Sequence, residues 1–408
     1  MRHLLSFAFF LLFTGHGLLH AEDFRIERFR NSAEQGSSQA VVVENAELVH
    51  TSQLLPINSQ GVIQGTSASQ QAATVLTSLD TILKKTGASK KHIVKLNIYL
   101  VADSDREVAV SSIRSWLSGA DLPAISFVQT RLPNPKAKIA MDAVIASAQV
   151  NVKTDNNAAR HIHLTQLGES KQHSHASILP RGDVIYVSGQ AEPGDLKQAT
   201  RNTLESLLKS IQQMQLDRQN IVALKCFLSP MDQVDIVNAT IAEFFEGEAV
   251  PVVSHVEWIA GATRPIEIEM IASAPLLKTT QRVSYLTPGG MTASPVYSRV
   301  ARIHGNQRVY ISGLYATSKG TGEEQTKAIF DSLGDLLKMT GSDFQHLAKA
   351  TYYVSDSDSS SHLNKLRPQF YHPKRPPAAS KAMVTGVGMQ NRTLSIDIIA
   401  APVAEKSK

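Results

Sequence analysis

The sequence predicts an α+β protein built from three copies of one unit of about 120 residues, each ordered as strands, helix, strand, helix, strands. Three observations predict it. An amphipathic helical face recurs, with Leu76 and Leu204 standing 128 residues apart and Leu204 and Phe330 126 apart. The aromatic residues of the next strand, Tyr99, Phe227 and Tyr353, keep those two spacings, as do Pro123, Pro251 and Pro377. Finally, one acid set among apolar residues closes each unit: Asp142, Glu269 and Asp397, spaced by 127 and 128. Coincident periods in separate features mark internal repeats.

Residues 1–21 stand apart from the repeats. Arg2 and His3 precede the apolar run "LLSFAFFLLF", and "LLHA" ends on a small residue before Glu22. That layout predicts a secretory signal cut after Ala21, and so a secreted or periplasmic protein. The run is shorter than the ~20 apolar residues a membrane span needs. Leu19, bulky for its place before the cut, keeps an uncleaved anchor as the alternative. The single cysteine, Cys226, cannot form an internal disulfide, so the core alone must hold the fold in an oxidising compartment.

Unit one is placed at 27–150. "LVHTSQL" reads as a strand ending in a turn, and "QQAATVLTSLDTILKKTG" at 70–87 as a helix. Its Ala72, Leu76, Leu79 and Leu83 share one face, and Gly87 offers a left-handed cap. The strand "IVKLNIYL", a second helix ending near Trp116, the strand "LPAISFV" and the strand "KIAMDAVIA" complete it. Unit two, 160–275, repeats the order with "VIYVSGQ", "IVALKCFL", Phe244–Phe245, "VPVVSHV" and "PIEIEMIAS". Unit three, 284–403, does so with "RVYISGL", "LAKATYYV", Phe370–Tyr371, "PPAASKA" and "TLSIDIIAA". The polar runs near 151–163 and 276–285 read as linkers. Linkers this short predict closure about a pseudo-threefold axis, with clefts between neighbours and a monomer acting as a pseudo-trimer. Beads on a string is the alternative.

Composition excludes several function classes. The 41 basic and 36 acidic residues give a formal charge of +5 with no basic tract, so no nucleic-acid partner is expected. His161, His163, His173 and His175 form H-x-H pairs without an accompanying carboxylate, and no metal site is assigned. No phosphate loop, dinucleotide fingerprint, nucleophile elbow or HExxH motif appears, so no cofactor is expected.

The order of a strand-turn "SGQ", a helix, an apolar strand, a second helix, a proline-led strand and a final acid-bearing strand resembles the reactive-intermediate deaminase family, RidA/YjgF. The resemblance covers all three units and is strongest in "VIYVSGQAEPGD" and "PIEIEMIASA". It implies a chorismate-mutase-like fold, ligand clefts at unit boundaries, and hydrolysis of 2-imino or enamine acids to 2-oxo acids and ammonia. It also implies an arginine before the strand serine, whose planar fork grips the substrate carboxylate. Ile125, Val253 and Ala379 hold that place here. Two classes of function therefore stand: an exported deaminase with unusual substrate anchoring, or a non-catalytic small-molecule-binding or scaffold protein.

By the same resemblance Asp142, Glu269 and Asp397 match the family's catalytic acid, and Ser126, Ser254 and Ser380 its serine or threonine. A serine on a strand can also do no more than bond backbone, and a buried acid needs a partner, so a structural role is open for both sets. The residues two beyond the lost arginine share its strand face: Phe127, His255 and Lys381. Gln53, Gly189, Gln190 and Gly313 match the ligand-facing turn. Lys381, with Asp397 and Gly313, makes unit three the expected anion cleft, with Lys381 a point charge rather than a fork.

Overall fold

The computed structural model describes residues 24–32, 36–119, 121–147, 157–168, 172–259, 261 and 263–404. The predicted signal segment lies outside them. Unit one comprises β1 (Arg25–Ser32), β2 (Ser37–Glu44), β3 (Glu47–Thr51), α1 (Ala68–Lys85), β4 (Ile93–Leu100), α2 (Arg106–Leu117), β5 (Ala124–Gln129) and β6 (Ile139–Ser147). Unit two repeats them as β7 (Arg160–Ile162), β8 (Ala176–Leu179), β9 (Asp183–Gln190), α3 (Leu196–Gln212), β10 (Ile221–Leu228), α4 (Val234–Phe244), β11 (Val252–Glu257) and β12 (Ile266–Ala274). In unit three they are β13 (Val283–Leu286), β14 (Val300–Ile303), β15 (Gln307–Ile311), α5 (Gly322–Met339), β16 (Leu347–Val354), α6 (Ser357–Leu366), β17 (Ala378–Met383) and β18 (Leu394–Ala400).

Local chemistry starts and stops these elements where the pattern requires. Ser67 and Gln70 form a reciprocal capping box at α1, as Thr321 and Glu324 do at α5. Past the helix ends, Gly87 and Gly341 take φ of 64° and 70°, a conformation that disfavours a Cβ. In each unit a helix crosses over between two parallel strands: β4 with β5, β10 with β11, β16 with β17. The closing strand returns antiparallel in one shared register, setting Asn97 opposite Asp142, Lys225 opposite Glu269 and Thr351 opposite Asp397. One sheet face buries α1, α3 or α5 over its own apolar core. The opposite faces of all three units meet at a common centre, where Tyr99, Phe227 and Tyr353 pack together.

The two polar runs predicted as linkers are shorter than expected, because Arg160–Ile162 and Val283–Leu286 end as strands paired to β8 and β14. His161 there bonds Ser177 through Nδ1 and His163 bonds Ser174 through Nε2, so each imidazole has one ring nitrogen engaged within the fold.

Closure follows from the strand at the start of each unit. β8 of unit two pairs with β3 of unit one, β14 of unit three with β9 of unit two, and β2 of unit one with β15 of unit three. A serine within β2, and one two residues before each of β8 and β14, also clasps the segment to its own unit. Ser38 Oγ donates to Leu122 O (2.6 Å), Ser174 Oγ to Val250 O (2.6 Å) and Ser298 Oγ to Pro376 O (2.6 Å). A head-to-tail contact made three times and returning to its start is a closed heterologous ring. The chain is therefore an intrachain pseudo-trimer.

Candidate ligand clefts at the unit junctions

Each junction sets the turn after one unit's hairpin against the serine-bearing strand of the next. Between units three and one, Gly313 N donates to Ile125 O (3.0 Å) and Ser312 Oγ accepts from Ile125 N (2.7 Å). Between two and three, Ser188 Oγ accepts from Ala379 N (2.8 Å) and Gly189 N donates to Ser380 Oγ (3.2 Å). Between one and two, Gln53 N donates to Val253 O (3.1 Å). Lys381 and Gly313, grouped together by the sequence, thus belong to different clefts: Lys381 lies on the strand facing Gly189, whereas Gly313 faces unit one. Grouping by unit fails because every cleft is shared by two units.

The three acids are placed at the centre, away from these turns. Asp142, Glu269 and Asp397 line an axial cavity of about 80 Å³ together with Lys95, Lys225 and Lys349. Lys95 Nζ donates to Asp397 Oδ1 (2.7 Å), Ser126 Oγ (2.7 Å) and Ile311 O (2.6 Å). Lys349 Nζ pairs with Glu269 Oε1 (2.8 Å). Burial alone would raise Asp397, yet Lys95 and Lys349 hold it below the usual carboxylate range. The third pair is missing because Ala223 stands where units one and three carry Lys95 and Lys349. Asp142 accepts from Asn97 Nδ2 (2.6 Å) and the Tyr99 hydroxyl instead, and burial pushes it up. Of the strand serines, Ser126 accepts from a buried lysine and Ser254 lines the same cavity.

The three clefts then diverge by substitution. At the first junction Gln53 replaces the turn glycine, and its amide bonds both backbone groups of His255, donating to the carbonyl at 2.9 Å and accepting from N–H at 3.3 Å. That covers the strand floor and leaves a cavity of about 530 Å³ over the turn, lined by Gln53, Leu55, His173 and His175 among others. His255 itself is buried and held neutral, its pKa depressed to about 3 by burial and by nearby His173.

At the second junction Glu267, two residues before Glu269 and on the same strand face, reaches beneath the turn. A Cβ at Gly189 would stand 2.0 Å from Glu267 Oε1 and 2.6 Å from Ser380 Oγ, so a larger residue there would have to displace the Glu267 carboxyl. Burial raises Glu267 to about 7, against a hydrogen bond from Ser380 that lowers it. Sequence reading passed over this residue; the signal was the paired "IEIE", in which period two puts both acids on one face. Lys381 Nζ turns to α6, donating to Ser360 Oγ (3.0 Å) and Asn364 Oδ1 (3.2 Å). Gln190 Nε2 points into its own unit at Ser210 (3.0 Å).

A carboxyl whose folded pKa lies above its unfolded value favours the protonated state on folding, so it withdraws stability as pH rises from about 4.5 through 7. Glu267→Gln is therefore expected to raise the Tm at pH 8 relative to wild type and to leave it unchanged at pH 4.5. Thermal melts of both proteins across that range check it; equal gains at both pH values would contradict it.

The third junction opens into a cavity of about 570 Å³, within the usual span of small-molecule sites. Ile125, Phe127, Gly313, Tyr315, Arg106 and Arg392 are among its lining. Here Ser395 stands where Glu267 stands in unit two, and the neighbour of a Cβ at Gly313 would be Ser126 in place of a carboxylate.

A closed ring of three alike α+β units, with a turn-and-strand cleft at each junction, defines a chorismate-mutase-like pseudo-trimer. The chain belongs to the Endoribonuclease L-PSP family, which it matches three times, over residues 30–147, 165–274 and 291–402. It is similar to the RutC family protein YoaB of Escherichia coli K12, at 29% identity over 106 residues, covering 26% of this chain and 87% of that protein. Among solved structures it is similar to NMB1025 of Neisseria meningitidis, a member of the YjgF family. That match has 25% identity and a TM-score of 0.23, covering 31% of this chain and 98% of that one. A Rid-family protein of unknown function from Yersinia pestis matches at 25% identity with a TM-score of 0.27, covering 30% and 98%.

Proposed function

We propose that this protein is an exported, monomeric small-molecule-binding member of the family, working through the cleft between its third and first units. The reading also holds that hydrolysis of 2-imino acids is not retained. One observation carries it: this junction's cavity, about 570 Å³ against about 530 Å³ at the first junction, has Ile125 on its floor and Ser395 at its turn, so it lacks both a strand guanidinium and a carboxyl beneath the turn. An aliphatic side chain cannot supply the two charge-assisted hydrogen bonds a small imino acid would need. The amino-terminal signal pattern supports export, away from the cytosol.

Gln53, which covers the strand floor of its own cleft by bonding the His255 backbone, supplies the test. Gly313 has an ordinary backbone conformation, and a Cβ there would meet Ser126 at 3.1–3.3 Å, tight but admissible with a small shift. Gly313→Gln is expected to abolish ligand-observed NMR signals for small aromatic compounds that bind the wild type. Undiminished binding in that variant would place the site elsewhere. A second reading, a hydrolase at the junction of units two and three, is favoured by Glu267 alone, since a carboxyl poised near 7 suits general acid–base work.

A further inference from the structure

The open cleft is apolar at its floor and basic at its rim. Ile125, Phe127 and Leu336 are buried beneath it, while Arg106 and Arg392 are half-buried at its edge and Arg30 is exposed. Glu107, exposed, is the acid among the lining residues. Arg106, the first residue of α2, lays its guanidinium 3.9 Å over the Phe127 ring and 5.5 Å from that of Tyr315. One of its amino groups donates to Gly388 O (2.6 Å), and among the described residues no carboxylate comes within 4.0 Å. Arg392 is pinned by three backbone carbonyls, those of Ala316 (2.6 Å), Thr317 (2.8 Å) and Asn391 (3.0 Å), again without a carboxylate.

The repeat shows that Arg106 is particular to this cleft. By the common spacing, the pair Arg106 and Phe127 corresponds to Ser360 and Lys381 in unit three and to Val234 and His255 in unit two. In unit three the cation stands on the strand and bonds the helix serine; in unit one it stands on the helix and covers the strand aromatic. Neither guanidinium makes a close ion pair among the described residues, Asp103 acting on Arg106 only at longer range, so a bound anion would find two half-buried cations to neutralise. A guanidinium held flat on an aromatic ring keeps its edge donors free for a planar anion.

We propose that this cleft takes a small organic carboxylate with an aromatic or branched apolar body. The carboxylate meets the edge of Arg106 at the rim, with Arg392 adding charge, and the apolar body lies on Ile125. Such a ligand would sit reversed relative to one gripped by an arginine on the strand. The proposal rests on the reading that this junction is the ligand site.

Phenylacetate and its neutral amide, phenylacetamide, separate the two ideas. In calorimetric titrations of the mature full chain, phenylacetate is expected to bind at least tenfold more tightly than the amide. Arg106→Met, which preserves contact with Phe127, should erase that preference while leaving amide binding unchanged; Arg106→Lys should keep part of it. Unchanged amide affinity also reports an intact cleft. An acid-to-amide ratio near one in wild type, or one unaltered in Arg106→Met, overturns the role of Arg106 while leaving the site in place. Failure of both compounds to bind wild type sinks the proposal and the reading beneath it together.

Discussion

Lys95→Met is expected to destabilise the protein by about 3–5 kcal/mol, the cost of stranding a buried charge. Lys95 joins β4 of unit one to Asp397 of unit three, and the same ammonium holds Ser126 and the Ile311 carbonyl, so one side chain ties two units at the axis. Both groups are nearly inaccessible, with side-chain exposures of 4% and 14%. Removing the ammonium leaves Asp397 with Lys349 and Lys225 as more distant support. The double variant Lys95→Met, Asp397→Leu should recover most of the loss, because replacing both partners with apolar groups removes the stranded charge. Urea titrations of the three proteins measure it. A loss under 1 kcal/mol in the single variant would show the axial pair to be unimportant.

Asp183→Asn should cost about 3 kcal/mol by loosening the junction of units two and three. Asp183 is fully buried, and its carboxylate accepts from Arg302 Nε (2.8 Å), His304 Nδ1 (2.8 Å) and Gly305 N (2.9 Å), all at the start of unit three. Burial pushes against its charge, but His304, Gly305 and Arg302 together hold its pKa below 3.8. A carboxyl depressed on folding contributes stability above its unfolded pKa and loses it as pH falls through the folded value. The difference between wild type and variant should therefore be flat from pH 5 to 8 and shrink below about 4. Denaturant unfolding at stepped pH checks both size and shape. Comparable clasps join Arg160 to Glu47 and Gln307 to Glu44 at the other two junctions, so the ring is sewn by polar contacts as well as strands.

The repeat, its helices and its order of elements were legible because helical and strand periods survive in each copy. Partition of the strands was not. The alternation in "SSQAVVVE" or "ASIL" fits the sheet of its own unit as well as that of a neighbour, and only the closed ring decides. The same limit misdirected the site. Period two assigns Glu267 and Glu269 to one face without saying which reaches a cleft and which the axis. Gln53 read as a turn residue, since nothing local shows that its amide spans to a strand 202 positions away. Arg106 was missed because the search for a lost strand cation looked along the strand. Its signal was comparative: an arginine on α2 where the other units carry Val234 and Ser360.

Imine hydrolysis tests the central claim most directly. With 2-iminobutyrate generated by an amino-acid oxidase in the presence of the protein, 2-oxobutyrate is expected to form no faster than in buffer. Ile125, Val253 and Ala379 offer no fork for the carboxylate, and the one cleft with a suitably poised acid has its cation turned away to Ser360 and Asn364. Turnover above the spontaneous rate that disappears in Glu267→Gln would contradict this account and assign the chemistry to the junction of units two and three.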